Sequence, residues 1–283
     1  MRIAVASGKG GTGKTTVSTC LAALLAPEHP VALVDLDVEE PNTQLFMDGE
    51  LLHREVVHKH VPMWRADQCA HCGQCQQVCN FGAVLSLPDE VMVFAELCHG
   101  CYACSELCPH GALPMEPQPM GVLRHAVDGE LALIESRLEV GQEQAVPLIK
   151  HTLDYVDARV PAETITILDA PPGTSCPVIA ATRHADLVVL VTEPTPFGLH
   201  DLSLAVETMR LLGREMLVVV NRHGLGDDAV EEYCRREGLL VAARIPHSRE
   251  VAHHYAQGHL PLAVPEFREA LGALAEVLAG RSS

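Results

Sequence analysis

The sequence has few basic residues, no cluster of them and no long apolar run. It contains 20 Lys and Arg residues against 37 Asp and Glu residues, which gives a net charge of −17 at pH 7. A chain of this charge without a Lys/Arg-rich run is not expected to coat DNA or an anionic membrane. The longest apolar run covers residues 20–26, whereas a membrane-spanning helix needs roughly 20 such residues. We therefore expect neither nucleic acid nor membrane as a partner.

The sequence does not predict a secretory leader. Met1 and Arg2 are followed directly by a strand-like segment, residues 3–6, and not by an apolar stretch of signal-peptide length. We therefore expect a cytoplasmic location. The chain does contain 11 Cys residues. Most of them follow a metal-cluster spacing, so we expect reduced thiols that bind iron and not disulfides.

Apolar, β-rich runs alternate with helical patterns along most of the chain. Such runs suit strands that are buried on both faces, and helices follow most of them. The pattern therefore predicts an α/β fold with a doubly wound, mostly parallel sheet. The predicted strands cover residues 3–6, 31–36, 165–168, 187–191 and 217–220. The predicted helices cover residues 15–25, 199–212, 227–237, 248–257 and 266–279.

This alternation breaks between about residues 53 and 119, where Cys, Pro and His concentrate. We interpret the break as an inserted domain. Residues 1–57 and 119–283 are then the two parts of the main domain, and residues 58–118 are the insert. After the insert, residues 121–138 are predicted to form a strand pair that turns at Asp128 and Gly129, and residues 143–157 a helix.

A glycine-rich segment between the first predicted strand and the first predicted helix matches the phosphate-binding loop, G-x-x-x-x-G-K-[ST]. In such a loop the backbone N–H groups and the helix N-terminus bind phosphate, Lys14 reaches the outer phosphates and Thr15 offers its hydroxyl to Mg²⁺. ATP and Mg²⁺ are therefore the predicted cofactors, and an ordinary glycine-rich turn is the alternative. The predicted nucleotide-binding residues here are Gly8, Gly10, Gly11, Thr12, Gly13, Lys14, Thr15 and Thr16.

Two carboxylates at the ends of predicted strands complete this site, because such strand ends face the nucleotide in doubly wound folds. Asp169 is predicted to bind Mg²⁺ through water. Asp37 is predicted to orient the attacking water or to contact the metal, Asp35 is the substitute for this role, and solvated loop carboxylates are the alternative interpretation. Gly173 is expected to contact the γ-phosphate region through its backbone. Asn221 is expected either to hydrogen-bond adenine or to be an ordinary turn residue.

Two runs of cysteines share the spacing C-x₂-C-x₂-C-x₃-C. In two-cluster ferredoxins the fourth cysteine of each run binds the other cluster. The pattern thus predicts an α+β insert like bacterial ferredoxins, with two [4Fe-4S] clusters. A pair of zinc sites is the alternative, but zinc modules usually place paired CxxC units further apart. The first predicted ligand set is Cys69, Cys72, Cys75 and Cys108, and the second is Cys98, Cys101, Cys104 and Cys79.

Together these motifs resemble the MinD/ParA superfamily of P-loop ATPases, in the branch with an inserted ferredoxin domain, over essentially the whole chain. The resemblance implies that Lys9, which follows the first glycine of the loop, reaches across a dimer to the partner's phosphates. It also implies that Asp37 belongs to the first nucleotide switch and residues 169–174 to the second. The expected catalytic residues are thus Lys9, Lys14, Asp37 and Asp169.

Nitrogenase iron proteins are relatives that bind one cluster across the dimer axis. Cys176 lies about as far from the second switch in sequence as one cluster ligand does in those proteins. No second partner cysteine and no CxxC near the C-terminus accompany it. The preferred interpretation is therefore a buried small residue.

The expected function is that of an ATP-driven electron-transfer or redox-switch protein, in which dimer closure repositions the insert against an acceptor. The ATP-dependent dimer contains two copies of this chain, or this chain and a paralogue. A redox or metal-cofactor-binding protein is the expected partner. One alternative is an iron-sulfur or heterometal cluster assembly ATPase, which the missing CxxC disfavours. Another is a spatial-positioning ATPase, which the acidic charge and the lack of a basic amphipathic C-terminal helix disfavour.

Overall fold

A nine-stranded sheet is the main feature of the computed structural model, which describes residues 1–47 and 49–282. Its strand order is β11-β10-β9-β1-β8-β2-β7-β6-β3, and every neighbouring pair from β11 to β7 is parallel. Strands β4 and β5 form a separate antiparallel pair. These features confirm the predicted α/β fold with a mostly parallel sheet. The strands are β1 Arg2–Ala6, β2 Val31–Asp35, β3 Glu50–Pro62, β4 Val84–Ser86, β5 Val91–Val93, β6 Met115–Asp128, β7 Leu131–Leu138, β8 Ile165–Asp169, β9 Leu187–Thr192, β10 Glu215–His223 and β11 Leu240–Pro246.

Helices connect the parallel strands, as a doubly wound sheet requires. None of the helices in the described part of the chain is both long and apolar enough to cross a bilayer. The helices are α1 Lys14–Leu25, α2 Gln74–Gln77, α3 Ala103–Glu106, α4 Ala145–Arg159, α5 Cys176–Thr182, α6 Pro196–Leu211, α7 Ala229–Arg236, α8 Arg249–Ala256 and α9 Pro265–Ser282.

The chain divides into two compact units. The first consists of Met1–Arg54, Leu123–Arg137 and Ile149–Ser283, and the second of Glu55–Val122 and Leu138–Leu148. Strands β3 and β6 therefore continue from one unit into the other. The sequence interpretation assigns residues 138–148 to the main domain. The structure groups them with the second unit, where Gln144 Nε2 donates to the carbonyl oxygens of Glu96 and Cys98, at 3.2 and 3.0 Å.

The core of the first unit forms because its central strands are apolar on both faces. Ile3, Leu33 and Ile167, from three neighbouring strands, are completely buried, and they share one apolar cluster with Leu21 of α1 and Leu271 of α9. This packing fixes the strands in register, so the loops that follow β1, β2 and β8 meet at one edge of the sheet.

Several elements are not among the predicted ones: β3, β4, β5, β11, α2, α3, α5 and the first part of β6. Strand β3, for example, has the sequence ELLHREVVHKHVP and is mostly exposed or half-buried in its first half. Its mixture of charged and apolar residues has no strict period of two, which is the signal that identifies a half-buried strand. The hairpin between β6 and β7 turns at Gly129 and Glu130, one residue later than the predicted turn.

Candidate functional site

The loop between β1 and α1 lines a cavity of about 480 Å³ in the first unit. Gly13 adopts a left-handed φ of 96°, and a Cβ at this position would collide with the side-chain amide of Asn221. That amide donates from Nδ2 to the carbonyl oxygen of Thr12 at 2.7 Å, and its Oδ1 accepts from Arg222 N at 2.8 Å. Asn221 therefore fixes the shape of the loop, and its contact with adenine stays a prediction.

Lys14 is the first residue of α1, lines the cavity and is only 7% exposed. Burial lowers the pKa of its ammonium group, and the charges of Asp169, Asp37 and Asp35 oppose this shift. The structure thus brings one buried cation and three carboxylates together at the end of the sheet. A cation in this position can bind phosphate with little competition from water.

Asp169 ends β8 and is almost completely buried. Its Oδ2 accepts from Thr15 Oγ1 at 2.6 Å, and its Oδ1 accepts from Ser18 Oγ at 2.9 Å. Burial raises the pKa of Asp169 to about 6, and the hydrogen bond from Thr15 opposes this shift. Mg²⁺ at a nucleotide is commonly bound by one or two protein oxygens, phosphate oxygens and water, so Thr15 and Asp169 are suitably paired to hold it.

Asp35 and Asp37 have different environments. Asp35 is completely buried, and its carboxylate accepts from the backbone N–H groups of Asp37, Asn42 and Thr43 at 3.0 to 3.1 Å. Burial, with the charge of Asp169, raises the pKa of Asp35 to about 7. Asp37 lines the cavity, and burial, with the charge of Asp35, raises its pKa to about 6. Asp35 therefore holds the segment, whereas Asp37 is the one of these two carboxylates that lines the cavity.

Lys9 forms an ion pair within its own chain. Its Nζ lies 3.2 Å from Glu193 Oε2, and Arg222 contacts the other oxygen of the same carboxylate at 2.7 Å. Neither Glu193 nor Arg222 was identified from the sequence, because no motif marks them. Before Lys9 can reach a partner chain, it must leave Glu193.

The far side of the cavity consists of residues that sequence reasoning missed. They come from the end of β11 and from α8: Pro246, His247, Ser248, Val251, Ala252 and Tyr255. Strand β11 was not predicted, so nothing in the sequence placed its end near the phosphate loop. Of the predicted second switch, Pro172 lines the cavity, and the N–H of Gly173 donates to the carbonyl of Ser7 at 3.0 Å, which connects this switch to the start of the phosphate loop.

Eight cysteines form two groups within the second unit, each drawn from both sequence runs. We call the first group site A; one cavity is lined by its members Cys69, Cys72, Cys75 and Cys108. We call the second group site B; another cavity is lined by its members Cys79, Cys98, Cys101 and Cys104. Burial raises the pKa of the Cys104 thiol to about 11, and the neighbouring thiols of Cys98, Cys101 and Cys79 add to this shift.

The two cysteine runs have the same backbone conformation. In each site the first cysteine of its run accepts a hydrogen bond from the N–H two residues later, of His71 to Cys69 and of Gly100 to Cys98, both at 3.4 Å. The fourth cysteine of each run accepts one from the N–H four residues later, at 3.3 and 3.4 Å. Left-handed φ angles also recur at equivalent positions, at His71 and Gly100 and at Gly73 and Tyr102.

The three remaining cysteines differ from one another in exposure. Cys20 and Cys234 are buried, whereas Cys176 is exposed at the start of α5. The interpretation of Cys176 as a buried residue is therefore wrong, because α5 begins on the surface directly after the switch loop.

Comparison with known proteins gives the following similarities. The family model of the CobQ/CobB/MinD/ParA nucleotide binding domain matches residues 3–262. The uncharacterized protein MJ0578 of Methanocaldococcus jannaschii is 34% identical over 233 residues, which are 80% of each chain. A Culex quinquefasciatus protein named as a homolog of the cytosolic Fe-S cluster assembly factor NUBP2 is 26% identical over 227 residues, 77% of this chain and 67% of its own. The septum site-determining protein MinD of Pyrococcus horikoshii OT3, solved with Mg-ADP, superimposes with a TM-score of 0.60 at 17% identity, over 100% of this chain and 98% of its own. That last likeness concerns the fold alone.

Proposed function

Because the chain belongs to the CobQ/CobB/MinD/ParA nucleotide-binding family, and is an ATPase of the MinD/ParA type, we propose that it couples ATP-dependent dimerisation to electron transfer through two [4Fe-4S] clusters. The observation that carries this proposal is the grouping of eight cysteines into two four-thiol sites in a chain that also contains the nucleotide cavity. We place the protein in the cytoplasm, with a redox or metal-cofactor-binding protein as its partner.

The residues of the nucleotide cavity suit MgATP. Thr12 Oγ1 is buried in the phosphate loop without a hydrogen-bond partner among the residues that the structure describes, and a phosphate oxygen would supply one. Lys14 would bind the β- and γ-phosphates, and Thr15 with Asp169 would hold Mg²⁺. Asp37 would orient the attacking water. Lys9 would act on the nucleotide of a second copy, or of a paralogue, after it leaves Glu193.

We infer that sites A and B hold four-iron clusters and not single metal ions, because their cysteines follow the spacing of two-cluster ferredoxins. A tetrahedral zinc site needs its thiolates about 3.8 Å apart, since each Zn–S bond is about 2.3 Å. Within the described part of the chain, no group of three His, Cys, Asp or Glu side chains is arranged to hold one ion. A cluster with four thiolate ligands needs a wider arrangement, and the backbone N–H groups that point at the sulfur atoms would stabilise the thiolate charge. When bound, each cluster would supply one-electron redox chemistry.

The remaining cysteines favour clusters that stay bound to this chain, and not a cluster that is transferred to another protein. Outside sites A and B, Cys176 is the exposed thiol of the described chain, because Cys20 and Cys234 are buried. Two copies of the chain would thus offer two thiols at a shared site, whereas a [4Fe-4S] cluster takes four. A cluster assembly ATPase is the second candidate, and the similarity to the NUBP2 homolog favours it.

The chain itself provides a route for coupling. Asp35 holds the backbone from Asp37 to Thr43, and β3 begins a few residues later and continues into the second unit. A ligand that moves Asp37 would therefore also act on residues 37–43, the start of the segment that leads to β3. If ATP and ADP favour different positions of this segment, and the reduced and oxidised clusters do so as well, reduced and oxidised protein must bind the two nucleotides with different affinities, because linkage is reciprocal.

A potentiometric titration of the anaerobically reconstituted protein tests the coupling. It is carried out with ADP, with a non-hydrolysable ATP analogue and without nucleotide. A typical coupling of about 1–3 kcal/mol would shift a one-electron midpoint potential by about 40–130 mV. Superimposable curves, with an ATPase rate that dithionite does not change, would contradict the proposal. Transfer of iron and sulfide to an apo-protein without added reductant would support the assembly function instead.

A further inference from the structure

Lys59 is a buried lysine beside one of the two cysteine sites. It lies on β3 within the second unit, and only 8% of its surface is exposed. Its Nζ donates a hydrogen bond of 2.7 Å to the carbonyl oxygen of Ala95. Burial of an ammonium group is costly unless nearby groups compensate for its charge. The groups around Lys59 therefore indicate which neighbours compensate for its charge.

The acceptor of Lys59 is shared with a predicted cluster ligand. The same carbonyl of Ala95 accepts from Cys98 N at 3.2 Å, so the ammonium and the first ligand of site B meet at a single oxygen atom. Cys98 is itself buried and packs with Cys79, the fourth ligand of site B. Burial lowers the pKa of Lys59, and the negative groups Cys98 and Glu96 raise it. Besides the carbonyl of Ala95, the groups that act on this charge are thus Cys98 and Glu96.

Site A has no equivalent cation. The carbonyl equivalent to that of Ala95 is the carbonyl of Ala66, which accepts from Cys69 N at 3.3 Å, and among the described residues it accepts no hydrogen bond from a Lys or Arg side chain. Arg65 follows Trp64, which does line site A, but the Arg65 guanidinium is about half exposed and lies 3.9 Å from Glu116. Its charge is therefore largely neutralised and screened by solvent. Although the two sites share one backbone conformation, their electrostatic environments differ.

On the basis of the proposed function, we propose that Lys59 makes the cluster of site B the one with the higher reduction potential. Each reduction adds one electron, and hence one negative charge, to the cluster that receives it. A fixed positive charge close to Cys98 stabilises that added charge, and low polarity around it strengthens the effect. An electron from a low-potential one-electron donor will then occupy site B before site A.

The test uses the full chain, reconstituted anaerobically, in a dithionite titration with redox mediators that is followed by electron paramagnetic resonance. Wild type should show two separate one-electron waves. Lys59→Met removes the charge at similar volume, and Lys59→Gln also keeps a donor for Ala95. In both variants the higher wave should move down so that reduction is about tenfold less favourable, which equals 59 mV. The lower wave should stay in place.

Two controls separate charge from structure. Lys59→Arg keeps the charge and should leave the higher wave near its wild-type position, and Lys150→Met removes an exposed lysine of the first unit and should change neither wave. Coincident waves in wild type, or unshifted waves in the neutral variants, would overturn the inference while the proposed function stands. A wild-type protein that takes up no iron-sulfur cluster would refute the proposed function itself.

Discussion

The two units of the chain differ in what holds them together. In the first, one apolar cluster joins strands of the sheet to α1 and α9. In the second, the apolar clusters are small: one contains Val84, Val91 and Leu113 beside Cys104, and the other contains Val61 and Ala83 beside Cys98. Small domains with little core usually need disulfides or metals for stability. We therefore predict that the nucleotide unit folds on its own, whereas the cysteine unit depends for its stability on clusters that its thiols bind.

The largest expected effect is therefore that of removing iron. After anaerobic chelation, backbone amides from residue 69 to residue 112 should exchange with deuterium at nearly the rate of an unstructured chain, because opening of this segment then costs almost no free energy. Amides of β1, β8 and β9 should stay protected. Hydrogen exchange followed by mass spectrometry, on the loaded and the iron-free protein, measures both regions together.

Equal protection of the cysteine segment with and without iron would show that the small core suffices, and the contrast between the units would disappear. Loss of protection in β1 and β8 after chelation would contradict the expected independence of the first unit. In that case the first unit would depend on the clusters as well.

The next largest effect concerns the nucleotide unit. Lys14→Ala removes the buried cation of the cavity and leaves phosphate charge unpaired, which typically costs about 3–5 kcal/mol. ATP affinity should fall by about 100-fold or more, as measured by equilibrium dialysis, while the fold and the iron content are retained. Lys9→Ala is the matched control. Lys9→Ala should bind ATP with the affinity of the wild-type monomer, but it should fail to dimerise in analytical ultracentrifugation. An equal loss of ATP affinity in both variants would contradict these separate roles.

The elements of the chain also differ in how far the sequence could predict them. Strands β1, β2, β8, β9 and β10 are apolar on both faces, so their signal is local, and the phosphate loop lies where β1 ends. The cysteine spacing is equally local. Strands β3 and β11 depend on neighbours that are distant in the chain, and so does the side of the cavity around Tyr255 and Val251. The pairing of Lys9 with Glu193 also lies beyond sequence reasoning, because it joins two loops that carry no shared motif.

A smaller effect should appear in the pH dependence of hydrolysis. The pKa of Asp37 is raised to about 6 by burial, with a contribution from the charge of Asp35. If Asp37 acts on water or Mg²⁺ as proposed, it does so in its ionised form, and a raised pKa means that its carboxylate becomes protonated nearer to neutral pH. The value of kcat/KM for MgATP, which reports the free enzyme, should fall by about tenfold to 100-fold per pH unit below about pH 6, because the pKa of Asp169 is also raised to about 6. Asp37→Asn should abolish turnover. An acid limb near pH 4, which is close to the ordinary pKa of Asp, would contradict this assignment.

The smallest effect compares the two cysteine runs directly. Gly73 and Tyr102 occupy equivalent positions with φ of 71° and 65°, and so do Gly100 and His71 with φ of 61° and 52°. A Cβ on Gly73 would meet nothing within 4 Å, whereas one on Gly100 would lie 3.1 Å from the carbonyl oxygen of His60. Gly73→Ala should therefore cost only the backbone strain, about 1 kcal/mol.

Gly100→Ala adds a steric contact to the same strain, and it also shifts the N–H that donates to Cys98 Sγ. We expect it to cost about 2 kcal/mol, twice the strain alone. Urea denaturation of the iron-loaded variants, followed by the visible absorbance of the clusters, measures both costs against wild type. Equal costs, or a larger cost for Gly73→Ala, would mean that strain alone decides stability here. The close approach of the chain to site B would then contribute nothing measurable.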